Sequence, residues 1–303
     1  MRPPGFLIES ASSHMRNRFF ILALIAASLS ACASTLDRVA LRSTADLLAR
    51  GRAASLDEPD YQLAKDAMPA QLKLVETLIA ADPADRSLRR LAAEAADGGA
   101  FLFLEDSEPA RAKALYLRGR DHALAGLALK PAFAALASKP FDDFSAALKA
   151  ATGDDVPDLF WAGFGWAGFV NLSKDDASAL TDLPKVVALM TRVQELDPDF
   201  HFAGADLFFG VYYASRPVLL GGDPKRAKNA FERAHKSTRG DFLMAHVLNA
   251  RWYAVAVQDK ELFTLLLRKV LESPSGRLPQ ARLSDEAAKR RAAALLEKID
   301  DYF

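Results

Sequence analysis

The chain has 303 residues, with 39 Lys and Arg against 39 Asp and Glu, half of it apolar and 26% charged. That balance leaves no basic footprint for nucleic acid, and the apolar content describes a packed globular chain rather than a disordered one. Cys32 is the sole cysteine, which excludes an intramolecular disulfide.

In chain order, Met15, Arg16, Asn17 and Arg18 supply a positive start, and Phe19 to Leu29 is an apolar core too short to span a bilayer. Met15 is therefore expected to be the true initiator. Leu29, Ser30, Ala31 and Cys32 resemble the lipobox of bacterial lipoproteins, which implies cleavage before Cys32 and acylation of its thiol and new amino group. Several acyl chains on one residue anchor stably, where a single chain is marginal. The bland alternative is a plain signal peptide with an incidental cysteine. Removing residues 1–31 takes out Arg2, Arg16, Arg18 and Glu9, for a net charge of about −2. No later apolar run reaches roughly 18 residues, so nothing after Cys32 is expected to cross a membrane. The expected division is 1–31 signal peptide, 32–59 anchor and N-terminal segment, and 60–303 helical domain.

Residues 34–59 are modestly helical in pattern. Leu63 to Ala81 predicts a strong helix with Leu72, Val75, Leu78 and Ile79 on one face. Asp82 and Pro83 stop it and cap the next, Ala84 to about Leu104. Ala110 to Leu129, a shorter segment through Phe133, Phe144 and Leu148, Val156 to Leu172, and Leu183 to Leu196 follow. Asp199 to Lys236 reads as two helices and a loop. Phe202, Phe209 and Tyr213 recur at helical spacing, with Gly210 small enough for a close neighbour. Gly221 and Gly222 end that helix, Asp223 offers an N-cap oxygen, and Pro224 suits the first helical position. Asp241 to Val257, Glu261 to Leu271 and Asp285 to Tyr302 complete the set, with a linker at 273–283. Runs of alternating β-branched residues are absent.

Phe209, Gly210 and Tyr213, then Ala227, Phe231 and Ala234, are close to the tetratricopeptide signature. Gly210 and Ala227 lie 17 positions apart, about five more than that signature leaves. Prolines at 83, 131 and 198 fall at comparable seams with irregular spacing. The expected fold is all-α: a degenerate tetratricopeptide-like solenoid of helical hairpins.

Gly163, Gly165 and Gly168 match G-x-G-x-x-G, but a dinucleotide site needs a strand before it. Residues 159–172 read as continuous helix, so these glycines are expected to let a partner helix lie close, and no cofactor is expected. The five histidines never pair at helical spacing, so no metal site is expected. No nucleophile elbow occurs, and the chain is not expected to be an enzyme. A hydrolase hidden in the helices would need a cluster of perturbed acids. Phe160, Trp161, Phe164, Trp166 and Phe169 crowd one helix, with Trp161 and Phe164 on one side and Trp166 turned away. Phe200, Phe202, Phe208, Phe209, Tyr212 and Tyr213 crowd another. The rings are either a generous core or partly the lining of an apolar cleft, with Asn171, Tyr212 and Arg216 at its rim.

The run from Leu159 to Gly168, the helix start at Leu183 to Val186, Leu196 to Phe200, the pair Tyr212 and Tyr213, the loop Leu220 to Pro224, the repeat helix with Ala227, Phe231 and Ala234, and Asp259 with Glu261 to Phe263 follow one another in a particular order. Together they resemble the T-component lipoproteins of TRAP transporters. The likeness covers residues 155–271 and the lipobox; residues 35–149 match only in helical pattern. It implies a periplasm-facing, membrane-anchored helical protein that can form a ring-like homo-oligomer and pairs with the solute-binding protein of the transporter. It also implies a cleft for an apolar or amphipathic ligand, with Trp161, Trp166, Tyr212, Leu219, Leu220, Gly221 and Gly222 near it by position. Ala33 lacks the aspartate that retains a lipoprotein in the inner membrane, which favours the inner leaflet of the outer membrane. The alternative is a tetratricopeptide-like lipoprotein scaffold for envelope assembly or secretion, its groove gripping peptide segments.

Overall fold

The computed structural model describes residues 43–303. The expected leader, its Met15 start and Cys32 lie outside the described residues. Among those residues there is no strand, and helix follows helix. One compact unit spans Ala49–Phe303, so it takes in the last part of the segment expected to precede residue 60. Residues 43–56 are helical (α1). After it come α2 (Tyr61–Ala81), α3 (Arg86–Gly99), α4 (Pro109–Leu127), α5 (Phe141–Leu148), α6 (Val156–Asn171) and α7 (Ala177–Thr181). The rest are α8 (Leu183–Leu196), α9 (Phe200–Ala214), α10 (Pro224–Ser237), α11 (Leu243–Leu248), α12 (Lys260–Glu272) and α13 (Arg282–Glu297).

Local chemistry sets these boundaries. Asp60, Asp85, Asp223 and Asp259 each accept a backbone N–H from the first turn of the helix they precede. Such a cap contributes about 1 kcal/mol. Pro109 and Pro224 stand in first turns, where a missing N–H costs nothing. α13 starts at Arg282, three residues ahead of the sequence expectation, and α11 begins later and stops earlier than expected.

Helices pack in sequence order: α2 on α3, α3 on α4, α4 on α6, α6 on α8, α8 on α9 and α9 on α10. That nearest-neighbour order is the solenoid plan. The glycines of α6 make it work. A Cβ on Gly165 would sit 2.6 Å from the Tyr116 carbonyl oxygen of α4, and one on Gly163 would press on Leu189 and Met190 of α8. Phe231 packs against Gly210, as the repeat signature requires. Buried Asp206 on α9 accepts from Gln194 (2.6 Å) and Arg233 (2.6 Å), tying α8, α9 and α10 together.

The plan departs from a simple solenoid at its end. α13 packs on α11 and α12 but also on α2 and the end of α3. Arg290 lies over the Tyr61 ring at 4.5 Å, and Arg291 pairs with Asp106 at 2.8 Å. The last helix thus returns to the first pair.

Three backbone irregularities were not anticipated. α3 continues through a π-helical turn, Ala100–Leu104, and α11 through another, Asn249–Ala254. His201, Phe202 and Ala203 take left-handed conformations in succession (φ 48°, 60° and 57°), so the regular part of α9 begins at Gly204. Phe202 is therefore out of register with Phe209 and Tyr213, a correction to the expected stripe. Left-handed backbone costs a residue with a Cβ about 1–2 kcal/mol, which the surrounding packing must offset.

Candidate functional site: the groove between α6 and α9

α6 and α9 touch at their N-terminal ends. Phe160 meets Phe200 at 5.3 Å between ring centres, and a Cβ on Gly204 would lie 2.5 Å from the Phe160 ring. Helical spacing puts Phe164, Ala167 and Asn171 on the same side of α6 as Phe160, and Phe208, Val211, Tyr212 and Ser215 on the same side of α9 as Gly204. All seven keep partial exposure. The helices touch at that end, and beyond it these partly exposed residues stand on the sides that carry Phe160 and Gly204.

The closed end is aromatic. Phe164 meets Phe101 (5.6 Å), Phe160 (5.7 Å) and Trp161 (5.6 Å). The His201 ring packs on Phe160 (5.1 Å) and Trp161 (4.9 Å), and Phe202 stacks on Phe242 of the residue run entering α11 at 4.3 Å. His201 keeps some open surface, yet protein surrounds it closely. Burial, helped by the charge of Arg52, pushes its pKa down to about 3, so the imidazole is neutral. The first π-turn and the left-handed turn contribute here: Phe101 belongs to the one, His201 and Phe202 to the other. Such irregular turns re-aim side chains that a regular helix would hold elsewhere.

The other end is cationic. Lys174 follows α6 and Arg216 follows α9. The Lys174 ammonium lies 4.8 Å from the centre of the Trp252 ring, which also has the Arg251 guanidinium at 5.6 Å. Arg216 stacks on Tyr212 at 3.8 Å and donates to the Tyr212 carbonyl at 2.7 Å. Desolvation first, then the charges of Arg216 and Arg251, lower the Lys174 pKa; burial lowers that of Arg216. Arg251 is paired with Asp106 at 3.0 Å. What this arrangement offers is apolar rings beside positively charged hydrogen-bond donors, since Arg291 also lies over the Phe101 ring at 4.4 Å and shares Asp106 with Arg251.

The residues singled out in sequence divide. Phe164 and Asn171 stand on one side of α6, and Tyr212 and Arg216 at the C-terminal end of α9, all partly exposed. Trp161 is buried behind it as support. Trp166 faces the other way, donating to Asp182 (3.1 Å) beside Phe144. Tyr213 stacks on Phe209 under Arg226 (4.0 Å). Leu219 stands 97% exposed at the tip of the α9–α10 loop, with Val218 and Leu220 at 72% each. Gly221 turns that loop with φ 87°, and Gly222 abuts the Arg216 carbonyl too closely for any Cβ. Sequence reading missed Phe101, Lys174, His201 and Trp252 as site residues. Nothing in their spacing marks them: π and left-handed turns place Phe101, His201 and Trp252, and Lys174 stands in the turn after α6.

Gly163, Gly165 and Gly168 are occupied with packing against α8 and α4, as expected from the continuous helix. Among the described residues, no three His, Cys, Asp or Glu side chains gather as metal ligands, and no helix is long and apolar enough to cross a membrane.

The model of the TRAP transporter T-component family matches residues 57–303. An uncharacterized protein of Treponema pallidum (strain Nichols) is 24% identical over 265 residues, covering 82% of this chain and 81% of its own length. The T-component is an accessory part of a bacterial envelope transport system and not an enzyme class. With its helical-repeat fold and the family match across the whole helical unit from Asp57 onward, this chain belongs to the TRAP transporter T-component family.

Proposed function

We propose that this protein is a lipid-anchored, periplasm-facing accessory subunit of a TRAP-type uptake system. It binds the extracytoplasmic solute-binding protein and takes an apolar ligand into the groove between α6 and α9. The observation that carries the ligand half is the aromatic end of that groove, where Phe101, Phe164, His201 and Phe202 keep open surface while in ring contact with buried neighbours. Solvent-facing rings around a neutral imidazole favour apolar matter over water. The partner half rests on family membership together with the loop tip Val218, Leu219 and Leu220, an exposed apolar patch directly after Arg216 at the groove's cationic end. A partner seated there meets the groove mouth. Acylated Cys32 holds the chain at the membrane.

Chemical crosslinking in cells followed by pull-down tests the reading. Recovery of a solute-binding protein, reduced at least tenfold by Leu219→Asp, supports it; recovery of envelope-assembly proteins without any solute-binding protein contradicts it. Cys32→Ser should move the protein from the membrane to the soluble fraction, and retention there would sink the anchor assignment.

A further inference from the structure

We infer that His235 and His246 form an acid-sensitive clasp. As neutral rings they hold the end of α10 to α11 and to the π-turn that carries Arg251 and Trp252; once protonated they release that joint.

α10 ends in two successive left-handed residues, Arg239 (φ 53°) and Gly240 (φ 72°), which turn the chain toward α11. The Gly240 N–H donates to the His235 carbonyl (2.8 Å), and the Gly240 carbonyl lies 2.9 Å from His246 Nε2. Because a carbonyl only accepts, His246 carries its proton on Nε2, and its Nδ1 is left bare, buried and without a partner. The two imidazoles stack with ring centres 4.2 Å apart and planes 22° apart. On the far side, His235 Nε2 accepts from the side-chain amide of Asn249 at 3.2 Å. Asn249 opens the π-turn Asn249–Ala254. The pair therefore bridges the α10 end, α11 and the π-turn.

Each of these contacts needs a neutral ring. A proton added to His246 Nδ1 finds no acceptor, and one added to His235 Nε2 faces the Asn249 amide donor. Two charged rings at stacking distance also repel. The surrounding charges give no compensation. From α12, the Lys269 ammonium lies 3.3 Å from where a Cβ on Gly240 would stand. On α10, Glu232 is paired with Lys228, Arg233 is paired with Asp206 of α9, and Lys236 and Arg239 add positive charge. Arg251 of the π-turn is paired with Asp106, and Asp241 with Arg277. Asp285 of α13 accepts the backbone N–H groups of Leu243 and Gly276. Among the described residues, neither ring hydrogen-bonds a carboxylate. Burial first, then His246 and Lys269, push the His235 pKa down to about 3. Burial also lowers that of His246, with the Gly240 bond opposing and Lys269 assisting. A depressed folded pKa means that the contribution is present above about pH 6.5, the unfolded value, and is lost as pH falls toward 3.

Thiol labelling at acid pH reads the release. Full-length protein with Cys32→Ser has no thiol, and Ala250→Cys places one at a fully buried position of the π-turn. Its labelling by 4,4′-dithiodipyridine, corrected for thiol reactivity at each pH, should speed up about thirtyfold from pH 7.5 to pH 5. That is the factor given by one histidine with a folded pKa of about 3 and an unfolded pKa of about 6.5. Ala162→Cys, buried in α6, should change less than about threefold over the same range, which separates local release from unfolding of the whole chain. His235→Phe combined with His246→Gln should shrink the rise at Ala250→Cys about tenfold. If that double variant fails to fold, His246→Gln alone decides: it keeps an N–H for the Gly240 carbonyl and should cut the rise about twofold or more. No rise at Ala250→Cys, an equal rise at Ala162→Cys, or a rise that survives the histidine substitutions overturns the clasp.

Discussion

The two sides of α6 carry opposite duties. One side is shut: Gly163 lies on α8, Gly165 lies on the backbone of α4, and Trp166 is sealed beside Phe144. The other side, from Phe164 through Ala167 to Asn171, stays partly exposed, with Phe164 against Phe101 and Tyr116. The same helix thus joins the repeat stack with one side and lines the groove with the other. Small residues dominate where backbones must meet, and large rings with spare surface dominate where a ligand must fit. Damage to the shut side should show as lost stability, and damage to the open side as lost binding.

The largest expected effect is on the shut side. Gly165→Ala forces a Cβ to within 2.6 Å of the Tyr116 carbonyl oxygen and 3.0 Å of the Arg120 nitrogen, so α4 must move. A loss of about 3 kcal/mol or more follows, at the upper end of overpacking because backbone rather than side chain must give way, and a urea melt will show it. Trp166→Ala comes next. It deletes a ring 2% exposed together with its bond to Asp182, at about 3–5 kcal/mol before relaxation, with ligand affinity unchanged in whatever fraction remains folded. Phe164→Gln should cost only about 1–2 kcal/mol, because that ring is half-open already, yet weaken an apolar probe at least tenfold. A reversal of these two outcomes would erase the distinction between the sides.

The smallest expected effect concerns the acid buried behind the shut side. Asp97 is fully buried against Gly119 and Gly165, and neither carboxyl oxygen has a hydrogen-bond partner. Desolvation pushes its pKa well above the usual carboxylate range, with Asp121 adding to the rise and Arg120 opposing it. The unfolded chain titrates near 3.9. A raised folded pKa means the folded chain holds the proton longer, so this group favours the fold in acid and loses that contribution as pH rises from about 4 through the folded pKa. Asp97→Asn should therefore raise the unfolding free energy read from urea melts at pH 8 by about 1 kcal/mol, and change it less at pH 4. An equal shift at both pH values would show that the carboxyl is not the source.

How much of this was legible in the chain depended on backbone regularity. The α9–α10 hairpin announced itself through Gly210, Phe231, Asp223 and Pro224, because a regular repeat fixes contacts from spacing alone. Gly163, Gly165 and Gly168 were readable as a packing surface for the same reason. Tyr212 and Arg216 lie on a regular helix and just past its end, so helical spacing alone sets where they stand. Phe101, His201 and Trp252 were not reached. They occupy a π-turn, a left-handed turn and a second π-turn, and no glycine or proline in those stretches marks the break. The stability of such turns comes from neighbours far along the chain, such as Phe242 stacked on Phe202 and Arg291 donating to the Phe101 carbonyl. Sequence spacing carries no record of those partners. The return of α13 to α2 was hidden for the same reason.

The measurement that tests the account most directly is titration of the folded protein with an apolar fluorescent dye, N-phenyl-1-naphthylamine, in the wild type, Phe164→Gln and Trp166→Phe. The account predicts saturable binding in the wild type, at least tenfold weaker binding in Phe164→Gln, and wild-type affinity in Trp166→Phe, with all three folded by circular dichroism. Equal dye affinity in all three proteins would contradict it, because the open side of α6 would then not be the binding surface.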